Sequence, residues 1–178
     1  SYELQNLSLG WQQYQFAPMN LAGNIELANR NLSGTFSLHD KHQLLQTDGQ
    51  FGFNLRAQSG ELNATTQSTI FNERDPFLPQ MISPASMPLD FTAGSFTVST
   101  KVTHSPLGTD SYSDVLMTDM SGFYRTNFFH GLNGKVRVLD LHEQPVLQSE
   151  LLQIEHIDVG TQISNLAFAM QPLKSGVE

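Results

Sequence analysis

The side chains able to move protons, attack a carbonyl or hold a metal are few in this chain of 178 residues, which has six histidines, nine Lys+Arg, 17 Asp+Glu and no cysteine. Without cysteine there is no thiolate zinc site, iron–sulfur cluster or thiol nucleophile. His39-Asp40-Lys41-His42 groups two histidines with an acid. It falls where an alternating strand ends, so it reads as hairpin-turn chemistry rather than a metal site. His142-Glu143-Gln144-Pro145 and His130-Gly131 read as further turns, and His156 as a surface or satisfied core residue inside a strand. Acid–base work needs two convergent carboxyls. Asp75, Asp90, Asp110, Asp114 and Asp119 are assigned to loops or strand edges, with no spacing that forces convergence. No Gly-x-Ser-x-Gly elbow, phosphate-binding glycine loop, zinc helix or Ca²⁺-loop pattern occurs. The Asn-x-Ser/Thr triplets at Asn6, Asn31 and Asn63 are close to the number expected by chance. These residues predict a protein that is not an enzyme and that uses no cofactor and no metal.

The elements that would position any site follow from composition and periodicity. Only 15% of residues are charged, against roughly 25% in ordinary soluble domains, and Ser, Thr, Asn and Gln make up the difference. The net charge of −8 and the absence of a Lys/Arg run argue against nucleic acid, which needs a basic patch to neutralise phosphates. Apolar runs are only a few residues long, so no segment reads as a membrane-spanning helix. The length fits one domain, spanning 1–178, able to bury roughly 70% of its unfolded surface. A start at Ser1 with no signal peptide or initiator Met gives the expectation of a fragment of a longer protein.

The dominant period is two. Leu32–Leu38, Gln50–Arg56, Gly94–Val102 and Gly134–Val138 alternate apolar or small residues with polar ones, as strands with one buried face do. Leu147–Ile157, the best helical candidate, reads at least as well as a strand. The fold class is therefore all-β, with few or no helices. A local device, glycine followed by apolar residues two and four positions on, starts at Gly23, Gly34, Gly49, Gly60, Gly94 and Gly134. Six matches exceed the roughly two that composition predicts. Each glycine leaves a side-chain-free slot on its strand's apolar side, either a bulge or twist relief or a slot shaped for a ligand. Residues 72–90 carry four prolines, which exclude a helix interior or central strand. This irregular loop carries Phe77, Leu78, Met81, Ile82 and Met87. It is expected to plug one end or edge of the sheet, with a lid or partner-docking loop as the alternative. His104–Ser111 reads as a long turn.

Leu132-Asn133-Gly134-Lys135-Val136-Arg137-Val138-Leu139-Asp140-Leu141, a turn with Pro145, and Leu152-Gln153-Ile154-Glu155-His156-Ile157-Asp158-Val159-Gly160-Thr161-Gln162-Ile163-Ser164-Asn165-Leu166-Ala167-Phe168 resemble the pattern of the YdbH family, bacterial AsmA-like envelope proteins. The resemblance covers residues 132–170. Thr161 and Gln162 depart from it, standing where family members place a hydrophobic residue. The resemblance implies an elongated, curved antiparallel sheet or meander, a taco-like β-groove. It implies a periplasmic fragment of a protein anchored in the inner membrane and implicated in moving phospholipid toward the outer membrane. The partner implied is a small outer-membrane lipoprotein, YnbE-like, joined by β-strand addition.

A diacyl lipid leaving a bilayer needs on the order of 20 kcal/mol of apolar shelter, at about 0.8 kcal/mol per CH₂. The predicted inward rows are Phe36, Leu38, Phe51, Phe53, Leu55, Phe96, Val98, Val136 and Val138, with Ile154 and Phe168 further along and Ser, Thr and Gln outward. About ten strands at about 4.8 Å give a groove near 50 Å long, enough for a lipid but not for an envelope. The family's domain has also carried a dicarboxylate-transport label, which scattered single basic residues and a charge of −8 disfavour. The alternative is a structural or interaction module of the envelope, with a solid core and an exposed edge that recruits a β-rich partner.

Overall fold

The computed structural model describes residues 1–7, 10–11, 14–15, 18–40, 43–71, 89–139 and 146–171. Among them the fold is all-β with no helix. The strands are β1 Tyr2–Leu7, β2 Gly10–Trp11, β3 Tyr14–Gln15, β4 Met19–Ala28, β5 Asn31–Asp40, β6 Gln46–Asn54 and β7 Ser59–Thr66. They continue as β8 Thr69–Phe71, β9 Leu89–Ser105, β10 Gly108–Tyr124, β11 Asn127–Leu139, β12 Val146–Ser149, β13 Leu152–Asp158 and β14 Gln162–Phe168. Twelve of them form one open, curved antiparallel sheet in the order β1-β4-β5-β6-β7-β9-β10-β11-β13-β14. β8 pairs β9, β12 pairs β11, and β2–β3 form a separate ribbon. The order follows the chain because short hairpins join antiparallel neighbours.

The hairpins are chemically explicit. Asn29 and Arg30 both have positive φ (50° and 63°) between the paired Ala28 and Asn31, the conformation a two-residue hairpin requires to match strand twist. After β6, Asn54 Oδ1 accepts hydrogen bonds from the Arg56 and Ala57 amides (3.0 and 2.7 Å). That side-chain-closed turn ends the strand at Asn54, so Leu55 sits in the turn, half exposed, and not on an inward row. The long turn expected over His104–Ser111 is instead a tight hairpin. Ser105 pairs Gly108 across Pro106-Leu107, which leaves β9 and β10 at 17 residues each. Leu89 and Asp90, expected in the irregular loop, instead pair with β10 as the start of β9.

Registry assigns the glycine slots. Gly23 lies opposite Tyr2 and Phe36, Gly34 opposite Phe51, Gly49 opposite Phe36, and Gly60 opposite Phe53. A Cβ built at any of the four would strike one of those rings. The slots in the first half are therefore occupied by the chain's own aromatic side chains, neither bulges nor empty ligand slots. A ring lying over a cross-strand glycine buries apolar area that a side chain would deny it.

Gly94 behaves differently. Its φ is +102°, beside a register shift between β9 and β10. Asp119 of β10 (φ 52°), Gly131 of β11 (φ +68°) and Asn165 of β14 (φ 55°) also adopt left-handed backbone. Gly94 abuts Asp119 and Gly131 abuts Glu155 of β13, so the irregularities run as a crease across neighbouring strands. Bulges bend a sheet and re-aim side chains. Met120, Phe91 and Phe129 are turned into a core by this one. His130-Gly131 is thus a mid-strand bulge in β11 rather than a turn.

The closed core is small. Met19, Phe71 and Met120 form its buried centre, with Leu38, Leu44, Leu45, Phe91, Phe96, Met117 and Leu132 packed around it. Phe71 bridges Phe91 and Phe96, with ring centroids 5.4 and 5.5 Å apart.

Candidate functional site: the open apolar face

Period-two alternation and registry place Phe36, Leu38, Phe51, Phe53, Phe96, Val98, Val136 and Val138 on one face of the sheet. Ile25, Leu27, Leu32, Leu62, Val102, Val115 and Met117 share it. Most are only half covered, and Ile25 and Leu27 are 55% and 65% exposed. Ile154 lies at the C-terminal end and is buried, while Phe168, its neighbour's partner through Leu152↔Phe168, is 37% exposed. Leu55 is displaced into its turn. Phe77, Leu78, Met81, Ile82 and Met87, the expected plug or lid, lie outside the described residues.

Hydroxyls interrupt this face, against the expectation that they all point outward. Thr47 and Thr66 pair at 3.0 Å, and Thr100 and Ser113 at 2.6 Å. Mutual hydrogen bonding removes most of the cost of turning a hydroxyl away from water, so Thr66 and Ser113 are buried. Along β9 Thr100 stands between Val98 and Val102, and along β10 Ser111 and Ser113 precede Val115, so hydroxyls break the apolar lining along these strands.

The opposite face carries Asn24, Glu26, Ser33, Thr35, Gln50, Glu61 and Asn63 in the first half. In the second half it carries a charged cluster. Asp114 accepts two hydrogen bonds from Arg137 (2.6 and 2.7 Å) and is 3.0 Å from Lys135 Nζ. The Arg137 guanidinium also lies 4.5 Å from the Tyr112 ring centroid. Sequence reading missed this site. Asp114 and Arg137 are 23 residues apart, and only the β10–β11 register makes them cross-strand partners.

Hydrogen bonding from Arg137 holds the Asp114 carboxyl at about 2, below its ordinary 3.8, against a partial burial that would raise it. A depressed carboxylate stabilises the fold above its unfolded value, and that stability is lost as pH falls toward the folded value. Acidification from pH 4 to 2 is therefore expected to cost on the order of 1–2 kcal/mol through Asp114. Urea titrations at successive pH values check this: Asp114→Asn should flatten the stability curve in that window and no other. An unchanged slope in the variant would remove the assignment.

At the crease a second, smaller polar ladder runs from β10 through β11 and β13 to β14. Ser121 Oγ lies 2.8 Å from His130 Nδ1, His130 stacks on His156 with centroids 6.1 Å apart, and His156 Nδ1 is 3.2 Å from Ser164 Oγ. His156 is exposed on its strand. His39 and Asp40 end β5, where the Asp40 carboxylate accepts the Leu45 amide (2.8 Å), as turn chemistry requires. Lys41, His42, His142 and Asp75 lie outside the described residues. No group of three or more His, Cys, Asp or Glu side chains converges on a common metal position among the described residues.

The arrangement is that of an open single-sheet β protein whose two faces differ sharply in polarity. No family model, curated protein or solved structure matches the chain.

Proposed function

We propose that this chain is a periplasmic portion of an AsmA-like protein that shelters phospholipid acyl chains along its apolar face during transfer between membranes. The observation that carries the reading is the uncovered face itself. On it Ile25 and Leu27 are 55% and 65% exposed, and Phe36, Phe51, Phe53 and Val98 are only half covered. Contiguous exposed apolar surface of this kind calls for a partner or a ligand. Acyl chains suit rows of Phe, Leu and Val with hydrogen-bonded hydroxyls between them, because such a surface offers dispersion contacts and no unpaired polar group. The anchor in the inner membrane belongs to the longer protein that the YdbH-like motif implies.

The same motif includes β14, the C-terminal edge of the sheet. All seven of its residues are exposed, and none is charged or proline. Edge strands are normally guarded by such residues, so β14 suits addition of a strand from a small lipoprotein of the YnbE-like kind. This edge also supports the second reading, a structural module that recruits a β-rich partner without lipid.

Native mass spectrometry of protein purified from bacterial envelopes without detergent tests the first reading. Co-purifying phospholipid at near-stoichiometric amounts is expected. A lipid-free chain that still crosslinks to a partner through β14 would transfer support to the second.

A further inference from the structure

We propose that the polar face of the β4–β7 region binds a neutral, extended oligosaccharide. Two adjoining depressions of about 760 and 710 Å³ lie over this face and share Asn24 and Thr35. Asn24, Thr35, Gln50 and Asn63 are successive cross-strand partners, one from each of β4, β5, β6 and β7. Among the described residues no side-chain hydrogen bond engages Asn24, Gln50 or Asn63. Three amides and a hydroxyl thus stand in one row with donors and acceptors uncommitted. Their spacing is the strand spacing, about 4.8 Å, close to the length of one pyranose ring, so a glycan lying across the strands would meet one polar side chain per ring.

The next row, Ser33, Gly52 and Glu61, has an open floor, because a Cβ at Gly52 would meet nothing within 4 Å. Charge selects the ligand class. Among the described residues no Lys or Arg lines either depression, whereas Glu26, Glu61, Asp48 and Glu3 do. Phosphates and sulfated or uronic glycans are repelled by such a surface. Acyl chains find nothing here, since Ile25 and Phe51 direct their side chains to the other face. With no aromatic platform on this side among the described residues, binding is weak per ring and accumulates along a chain.

The test is a heteronuclear NMR titration of the whole chain with chitohexaose, with cellohexaose as a second neutral probe and dextran sulfate as the anionic one. Saturable shifts confined to β4–β7 are expected with a neutral probe. Asn24→Ala/Gln50→Ala/Asn63→Ala should weaken that binding at least tenfold while circular dichroism stays unchanged, since these amides hold no other part of the sheet. Gly52→Leu, which fills the floor without a clash, should weaken it similarly. No saturable shift at millimolar probe, equal binding by the triple variant, or tighter binding of dextran sulfate would each overturn the proposal.

Discussion

Replacing Gly49 by valine is expected to destabilise the chain by about 2–3 kcal/mol, the cost of overpacking a well-fitted site. A Cβ at this position overlaps the Phe36 ring and also approaches the Asn63 carbonyl oxygen (2.9 Å). The Asn63 carbonyl is backbone and cannot swing aside as the end of a ring can, so part of the strain stays even where Phe36 moves. Equilibrium urea unfolding measures the loss. Part of it should return in Gly49→Val/Phe36→Ala, in which the ring is gone, and the coupling between the two sites should exceed about 1 kcal/mol, as for residues in direct contact. Gly52→Val is the control: two strands' pairings are the same there, but the Cβ enters open space, so the change should stay within about 0.5 kcal/mol. Equal losses at Gly49 and Gly52 would refute the ring-over-glycine packing.

The second large effect concerns the apolar face. Val98→Asp is expected to reduce co-purifying lipid at least tenfold while the sheet stays folded. Val98 begins the row Val98, Val115, Val136 that crosses β9, β10 and β11. A carboxylate there must keep its water, which excludes several methylenes at about 0.8 kcal/mol each. Because Val98 is only half buried, the folded chain can leave the new charge hydrated. Thr97→Asp supplies the contrast. It is the adjacent residue on the opposite face, opposite Leu116 of β10, and lipid content should not change. If both variants retained lipid, acyl binding along this face would be abandoned. If both lost it equally, the effect would be one of folding rather than of the face.

Both expectations depend on which residues share a face, and that was legible in the sequence. Gly34, Phe36 and Leu38 against Thr35 and Ser37 is strict alternation, and β5 keeps it through all ten residues. Period two fixes the side of every residue in an unbroken strand, so Phe36, Phe51, Phe53 and Val98 are placed on a common face by alternation alone. The failures have local causes. Leu55 was assigned to a strand that Asn54 closes with its own side chain. His130-Gly131 was assigned to a turn because glycine marks turns and bulges alike. The general expectation that Ser and Thr face outward fails at Thr66, Thr100 and Ser113, whose hydroxyl partners lie on neighbouring strands and appear only once the strands are in register.

What the chain's sequence determined by itself was the fold class, the polarity of each face and the recurrence of glycine at the start of strands, all set by spacing along one chain. Tertiary structure decided what those features meet. Registry set Phe36 over Gly49 and Arg137 against Asp114, partners 13 and 23 residues apart whose contact depends on every intervening hairpin. It also aligned Gly94, Asp119, Gly131 and Asn165 into one crease. Strand order left the sheet open, with β1 and β14 at its edges. Alternation along a strand is a local property of backbone geometry. Pairing between strands is a sum over the lengths of all the turns between them, and so it appears only when the chain has folded.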